Sequence, residues 1–159
     1  MSDQRIETFD TRAGFQQQLG ALFKRSFVTL DLFDPDFALF QLGTPDTDAE
    51  LRRFLHAGGM LRLAMHSSGH LERHAPRFSR LLRDYSHRIE CRVTPRSLRQ
   101  LSDSFAIGDG LHLVRRFHSD HLRGEATFDA PEKIELPRER FVAIWAESQP
   151  GLQPTITGL

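Results

Sequence analysis

The feature that most constrains this chain is the order in which its hydrophobic period changes. Three short segments with period-two alternation are each followed by a segment with helical spacing, and then several strand-like segments come with no helix between them. The first strand is Arg5–Phe9, and a helix capped at Asp10 or Thr11 follows, with Phe15, Leu19, Leu22 and Phe23 on one face. The second strand covers 27–33 and stops at Asp34-Pro35. Residues 37–42 fit neither pattern. Thr47-x-x-Glu50 reads as a capping box for a helix carrying Leu51, Phe54 and Leu55, which Gly58-Gly59 ends. Met60–Met65 is the third strand, and Phe78, Leu81, Leu82 and Tyr85 mark a helix with Pro76 in its first turn. Strands over 87–93, 104–107, 111–117 and Gly124–Phe128 come next, with a turn or short helix at 95–101. Pro137 is expected to open a final helix that packs Phe141, Ile144 and Trp145 onto the sheet.

Strand–helix alternation implies parallel crossovers, and clustered strands imply hairpins. The expected fold is therefore α/β, with a mixed, mostly parallel sheet flanked by helices on both faces. At 159 residues the chain holds one domain, placed at 1–149, with a flexible C-terminal tail at 150–159 that is rich in Pro and Gly. A chain of this size buries enough surface to fold without a disulfide or structural metal.

Composition excludes more than it identifies. Basic and acidic residues number 21 each, which argues against a generally basic nucleic-acid glove though not against a local patch. Nineteen of the basic residues are Arg, the side chain that forks phosphate or carboxylate. The single cysteine, Cys91, shares a strand face with Ile89 and Val93 and reads as packing rather than as a reactive thiol. The segment Met1-Ser2-Asp3-Gln4 shows no signal-peptide pattern, and no apolar run approaches the ~20 residues a bilayer requires. A cytoplasmic location and no membrane partner are expected.

Ser102 to Glu147 carries a family likeness. Ser104-Phe105-Ala106-Ile107-Gly108-Asp109-Gly110 is a strand ending in Asp-Gly, and the strand at 111–117 follows. This stretch resembles the core of the phospholipase D superfamily, in which H-x-K-x4-D precedes a G-S-x-N run on the next strand. The chain is similar to one half of that fold. With Asp109 as the motif aspartate, Ser102 stands where the family has its nucleophilic His and Ser104 where it has its phosphate-binding Lys. Arg116 and Phe117 fall at the Gly-Ser pair. A hydroxyl at either of the first two positions supplies neither an imidazole to attack phosphorus nor a cation for the phosphoryl oxygens. The resemblance thus implies the scaffold without its activity, and it leaves Asp109 as a turn residue or a relic of the site.

His66, His70 and His74 have metal-ligand spacing, but Gly69 and Pro76 argue against one helix through all three, so a polar loop is the plainer reading. His66 still lies at the carboxyl end of a strand, where open α/β sheets place ligands. His118-Ser119-Asp120-His121 reads as an exposed hairpin loop. Asp31, inside an apolar strand, needs a partner or an edge position. Arg116 shares a strand face with His112 and Val114, and the phospholipase D-like layout that the resemblance implies would point it toward the vestigial pocket; a structural salt bridge, with Asp109 or Asp103 as the candidate neutraliser, is the plainer reading.

The chain lacks the phosphate-loop, dinucleotide, zinc-protease and nucleophile-elbow motifs. These readings give a catalytically inactive domain that binds an anionic, phosphate-bearing ligand or a protein partner, with no cofactor and no metal. The expected ligand-binding residues are Ser102, Ser104, Asp109, His112, Arg116 and His66. A homodimer is the expected assembly, since a second copy would supply the missing half. The alternatives are a divergent phosphodiesterase using His66, His112 or His118 from rearranged positions, and a purely structural dimerisation module.

Overall fold

The computed structural model describes residues 5–153. Eight strands form one sheet: β1 (Arg5–Phe9), β2 (Thr29–Phe33), β3 (Met60–Met65), β4 (Ile89–Val93), β5 (Ser104–Gly108), β6 (His112–Arg116), β7 (Gly124–Phe128) and β8 (Gln149–Pro150). Five helices pack on it: α1 (Arg12–Arg25), α2 (Pro45–His56), α3 (Gly69–His74), α4 (Pro76–Asp84) and α5 (Pro131–Glu147). The order across the sheet is β1-β7-β6-β5-β2-β3-β4-β8.

The sheet is mixed as expected, but mostly antiparallel rather than mostly parallel. Only β2–β3 and β3–β4 run parallel; the pairs β1–β7, β7–β6, β6–β5, β5–β2 and β4–β8 are antiparallel. The reason is that β1 does not neighbour β2. Helix α1 carries the chain from the far edge to the middle of the sheet, and the β5–β6–β7 hairpins fill the gap between them.

Alternation along the strands gives two cores. Phe15, Leu19, Leu22 and Phe23 of α1 join Phe54 of α2, Phe78 of α4 and the inward residues of seven strands. The opposite face holds Phe33, Phe105, Ile107 and Leu113 against Ile134, Phe141, Ile144 and Trp145, so α5 covers it, with Leu98 and Leu101 packed beside it. Cys91 is buried in the first core, and burial pushes its thiol up to about 12.

Several element boundaries differ from the sequence reading. Helix α5 begins at Pro131, and Pro137 lies inside it, where it forgoes one backbone donor. Thr44, not Thr47, caps α2: its hydroxyl accepts from the Thr47 N–H, and Pro45 takes the first helical position. The tail expected from Pro150 starts as an edge strand, with Gln149 opposite Val93 and the Gly151 N–H donating to the Cys91 carbonyl at 3.0 Å. Residues 154–159 lie outside the described residues. No described helix is long and apolar enough to cross a membrane.

Candidate functional site

The strand directions create two poles. The carboxyl ends of β2, β3, β4 and β6 meet the amino end of β5 at one of them, so Asp34, His66, Thr94, Arg116 and Ser104 all come from that end of the sheet. Register pairs Ser104 with Arg116 there and Gly108 with His112 at the other pole. Four residues of strand, ~13 Å, separate the two. The expected ligand set is therefore divided: Ser102, Ser104, Arg116 and His66 belong to the first pole, while Asp109 and His112 belong to the second.

At the first pole, Arg116 is buried and fully engaged at both terminal nitrogens. Its Nη2 donates to Asp34 Oδ1 at 2.7 Å and to Ser104 Oγ at 3.1 Å. Its Nη1 donates to the carbonyls of Ser119 at 2.7 Å and His121 at 3.4 Å. The guanidinium lies over the Phe15 ring, 5.1 Å from its centre. Asp34 Oδ2 accepts from the N–H groups of Asp36 and Phe37 at 3.0 and 2.7 Å. Burial pushes the Asp34 carboxyl up from its ordinary value, against the pull of the Ser104 hydroxyl, the two N–H groups and Arg116. Neither Asp109 nor Asp103 neutralises Arg116; Asp103 is held by both arms of Arg140.

Chemically, this is an anion-binding arrangement whose anion is already part of the chain. A guanidinium, a hydroxyl and two backbone donors surround one carboxylate. In the sequence Asp34 stands as a strand-ending residue beside Asp31 and Asp36, and nothing there points to a partner 82 residues away.

His66 closes the same pole from the side. Its Nε2 is 2.8 Å from the Leu101 carbonyl, which can only accept, so Nε2 carries the proton. Its Nδ1 then accepts from the Thr94 hydroxyl. The ring stands edge-on to Phe33, and both nitrogens serve to anchor the segment that leads into β5. The Ser102 carbonyl accepts from Ser119 N–H at 2.8 Å and ties that segment to the loop after β6. The histidine-rich stretch at 118–121 is thus the loop whose carbonyls hold Arg116. Among the described residues, no three His, Cys, Asp or Glu side chains are grouped to hold a metal ion. Asp31 finds its partner in Arg62 at 2.9 Å.

At the second pole, Asp109 sits at φ 55° and Gly110 at φ 67°, the left-handed pair that a tight Asp-Gly hairpin needs. The Asp109 carboxylate accepts from the N–H groups of Phe27, Val28 and Thr29 at 2.8–3.1 Å. It is a backbone cap for the entry to β2. His112 is buried beside Phe128, and its Nδ1 accepts from Asp129 N–H at 3.1 Å. Loss of solvation pushes the His112 pKa down.

The uncovered half of the α5 face holds an open groove of about 530 Å³. Leu113 and Phe105 floor it, and Ile6, Phe117 and Leu136 stand exposed at its sides.

The sheet order and the strand-end pole define a phospholipase D-like fold. The chain superposes on Nuc, a phospholipase D family member from Salmonella typhimurium, with a TM-score of 0.70 and 12% identity, covering 94% of this chain and 99% of that one. NucT from Helicobacter pylori gives 0.69 and 9% identity, over 94% and 100% of the two chains. TrmBL2, described as an archaeal chromatin protein with a novel mode of DNA binding, gives 0.71 and 12% identity over 95% of this chain. The match spans 56% of the TrmBL2 chain. No curated protein matches the chain in sequence. Residues 11–153 match the model of DUF7931, a domain of unknown function, and the chain belongs to that family.

Proposed function

We propose that this is a catalytically silent phospholipase D-like domain that works by association, with a second copy of itself as its partner. The observation that carries the reading is the buried Asp34–Arg116–Ser104 cluster. By resemblance, Ser104 occupies the place of a phosphate-binding cation, yet its hydroxyl is bound to an arginine that an internal carboxylate already satisfies. That cluster holds no imidazole to attack phosphorus, its hydroxyl and carboxylate are both engaged by Arg116, and its positive charge is spent inside the molecule. Association therefore accounts for the geometry better than capture of a free anion at this pole. The histidines that a rearranged phosphodiesterase would need are dispersed: His66 is bound at both nitrogens, His112 lies at the other pole, and His118 sits in an exposed loop.

The groove beside α5 supports the choice of partner. Arg115, Lys133 and Arg140 line it together with Asp103, Glu125 and Glu132, and Arg116, which lines it too, is buried and offset by Asp34. Arg115 is already paired with Glu125 and Arg140 with Asp103, so the rim holds little excess charge to select a strongly acidic or basic partner, and a second copy would bring a rim of the same balance.

Sedimentation equilibrium at tens of micromolar tests the assembly, and a chromogenic phosphodiester tests the silence. A mass near twice 18.2 kDa that Leu136→Asp halves, with no turnover, is the expected result. A monomer at that concentration removes the partner from the account. Turnover lost on His118→Ala or His66→Ala replaces the whole reading with a divergent enzyme.

A further inference from the structure

We propose that the outer face of α4 is a binding ridge for a phosphodiester backbone. Helix α4 turns Phe78, Leu81 and Leu82 into the core. The opposite arc carries Arg77, Arg80 and Arg83, three residues apart and all exposed. At 100° per residue they lie within an arc of about 120°, their Cα atoms stepping along the axis by about 4.5 Å.

These arginines are not absorbed by local carboxylates. Asp84, the one acid of α4, is taken by Arg52 of α2 at 3.0 Å. Glu72 accepts the Ser68 hydroxyl. Arg77 reaches only the Gly43 carbonyl, at 3.2 Å. Among the described residues, Arg80 and Arg83 form no ion pair, whereas Arg52, Arg62, Arg115 and Arg140 each meet a carboxylate. In a chain of zero formal charge, this leaves a local row of free guanidinium groups.

The chemistry that fits such a row is a linear array of phosphates. A guanidinium forks two phosphate oxygens, and an ammonium cannot. A nucleic-acid strand presents one charge per about 3.4 Å of duplex axis, so a ridge about 9 Å long spans two or three phosphates. The arc carries no aromatic ring on which a base could stack, so the ridge reads backbone charge and not sequence. The inference goes beyond the dimer reading and stands on different residues.

Fluorescence anisotropy of a labelled oligothymidylate of about twenty nucleotides, in about 50 mM salt, reads the binding. Long-chain inorganic polyphosphate and poly-glutamate serve as competitors. The triple variant Arg77→Gln, Arg80→Gln, Arg83→Gln is expected to bind at least tenfold more weakly, with a salt slope shallower by about two. A control triple, Arg12→Gln, Arg123→Gln, Arg138→Gln, removes the same charge from exposed sites elsewhere and is expected to bind as the wild type does. Circular dichroism confirms that both variants are folded. Polyphosphate should displace the strand and poly-glutamate should not. The proposal falls if the wild type shows no binding at tens of micromolar or if the control triple loses as much. It falls equally if poly-glutamate competes as well as polyphosphate, which would point to an acidic protein instead.

Discussion

Arg116 and Asp34 meet at 2.7 Å in the interior, each side chain about 2% exposed, and among the described residues each is the only opposite charge the other touches. Two charges taken out of water are costly, and their attraction repays the cost only while both remain and the spare hydrogen-bonding groups are filled. Here they nearly are: Arg116 Nε alone lacks a partner. Removing one member leaves the other charged and unpaired. Arg116→Met or Asp34→Leu alone should each cost about 3–5 kcal/mol in urea unfolding. The double variant Asp34→Leu with Arg116→Met should cost much less than the sum, because neither charge is stranded. Additive losses would mean that the two groups act independently.

The same cluster predicts how the protein treats small anions. In the wild type, Asp34 fills the space that a phosphate or carboxylate would need, so phosphate should not raise the melting temperature through Arg116. Asp34→Gly leaves a guanidinium, the Ser104 hydroxyl and the N–H groups of residues 36 and 37 aimed at a vacated position. Formate or acetate should restore part of the lost stability in that variant, rising with the logarithm of concentration. No rescue by either ion, or phosphate stabilising the wild type and not Arg116→Ala, would contradict the arrangement.

Asp109 should prove structural. Its carboxylate serves three consecutive backbone N–H groups, and its own backbone sits at φ 55°. Asp109→Ala loses both the acceptor and a residue tolerant of that conformation. Asp109→Asn keeps one acceptor oxygen and the tolerance, and Asp109→Gly keeps the tolerance alone. Stability should fall in the order Asn, Gly, Ala, the last by about 2–3 kcal/mol. Equal effects of all three in thermal melts would remove the capping role.

Much of this was legible in the sequence because period-two and helical spacing follow directly from which residues must be buried. The residues expected to line the α1, α2 and α4 faces do so. The sense of the sheet was not legible, since nothing in Arg5–Phe9 says that its partner is Gly124–Phe128 at the far edge. The fold likeness was visible in Ser104 to Gly110, but the neutraliser of Arg116 was not. Asp34 reads as a turn residue before Pro35, and only the assembled sheet brings it to Arg116 of β6. Pro137 misled because proline usually opens a helix, while here the packing of Ile134 ahead of it keeps the turn helical. The arginines of α4 are plain in the sequence, yet only the partners of Asp84 and Glu72 show that they are free.

His112 should make the protein lose stability on mild acidification. Its ring is buried against Phe128, and loss of solvation, opposed by the Asp129 charge, pushes its pKa below the ordinary value. Its Nδ1 accepts the Asp129 N–H, so the neutral ring carries its proton on Nε2, and protonating Nδ1 would break that bond. In the unfolded chain the same imidazole takes up a proton near pH 6.5. Below that value the unfolded state binds more protons than the folded one, so stability falls as pH falls. The contribution is present above about pH 6.5, declines from there down to the folded-state pKa, and then levels off. A single proton sets a maximum slope of about 1.4 kcal/mol per pH unit. His112→Asn keeps an acceptor for the Asp129 N–H and cannot charge. Its urea-unfolding stability should therefore fall less steeply than the wild type's between about pH 6.5 and 5. Two parallel curves would show that the ring is not held neutral by the fold.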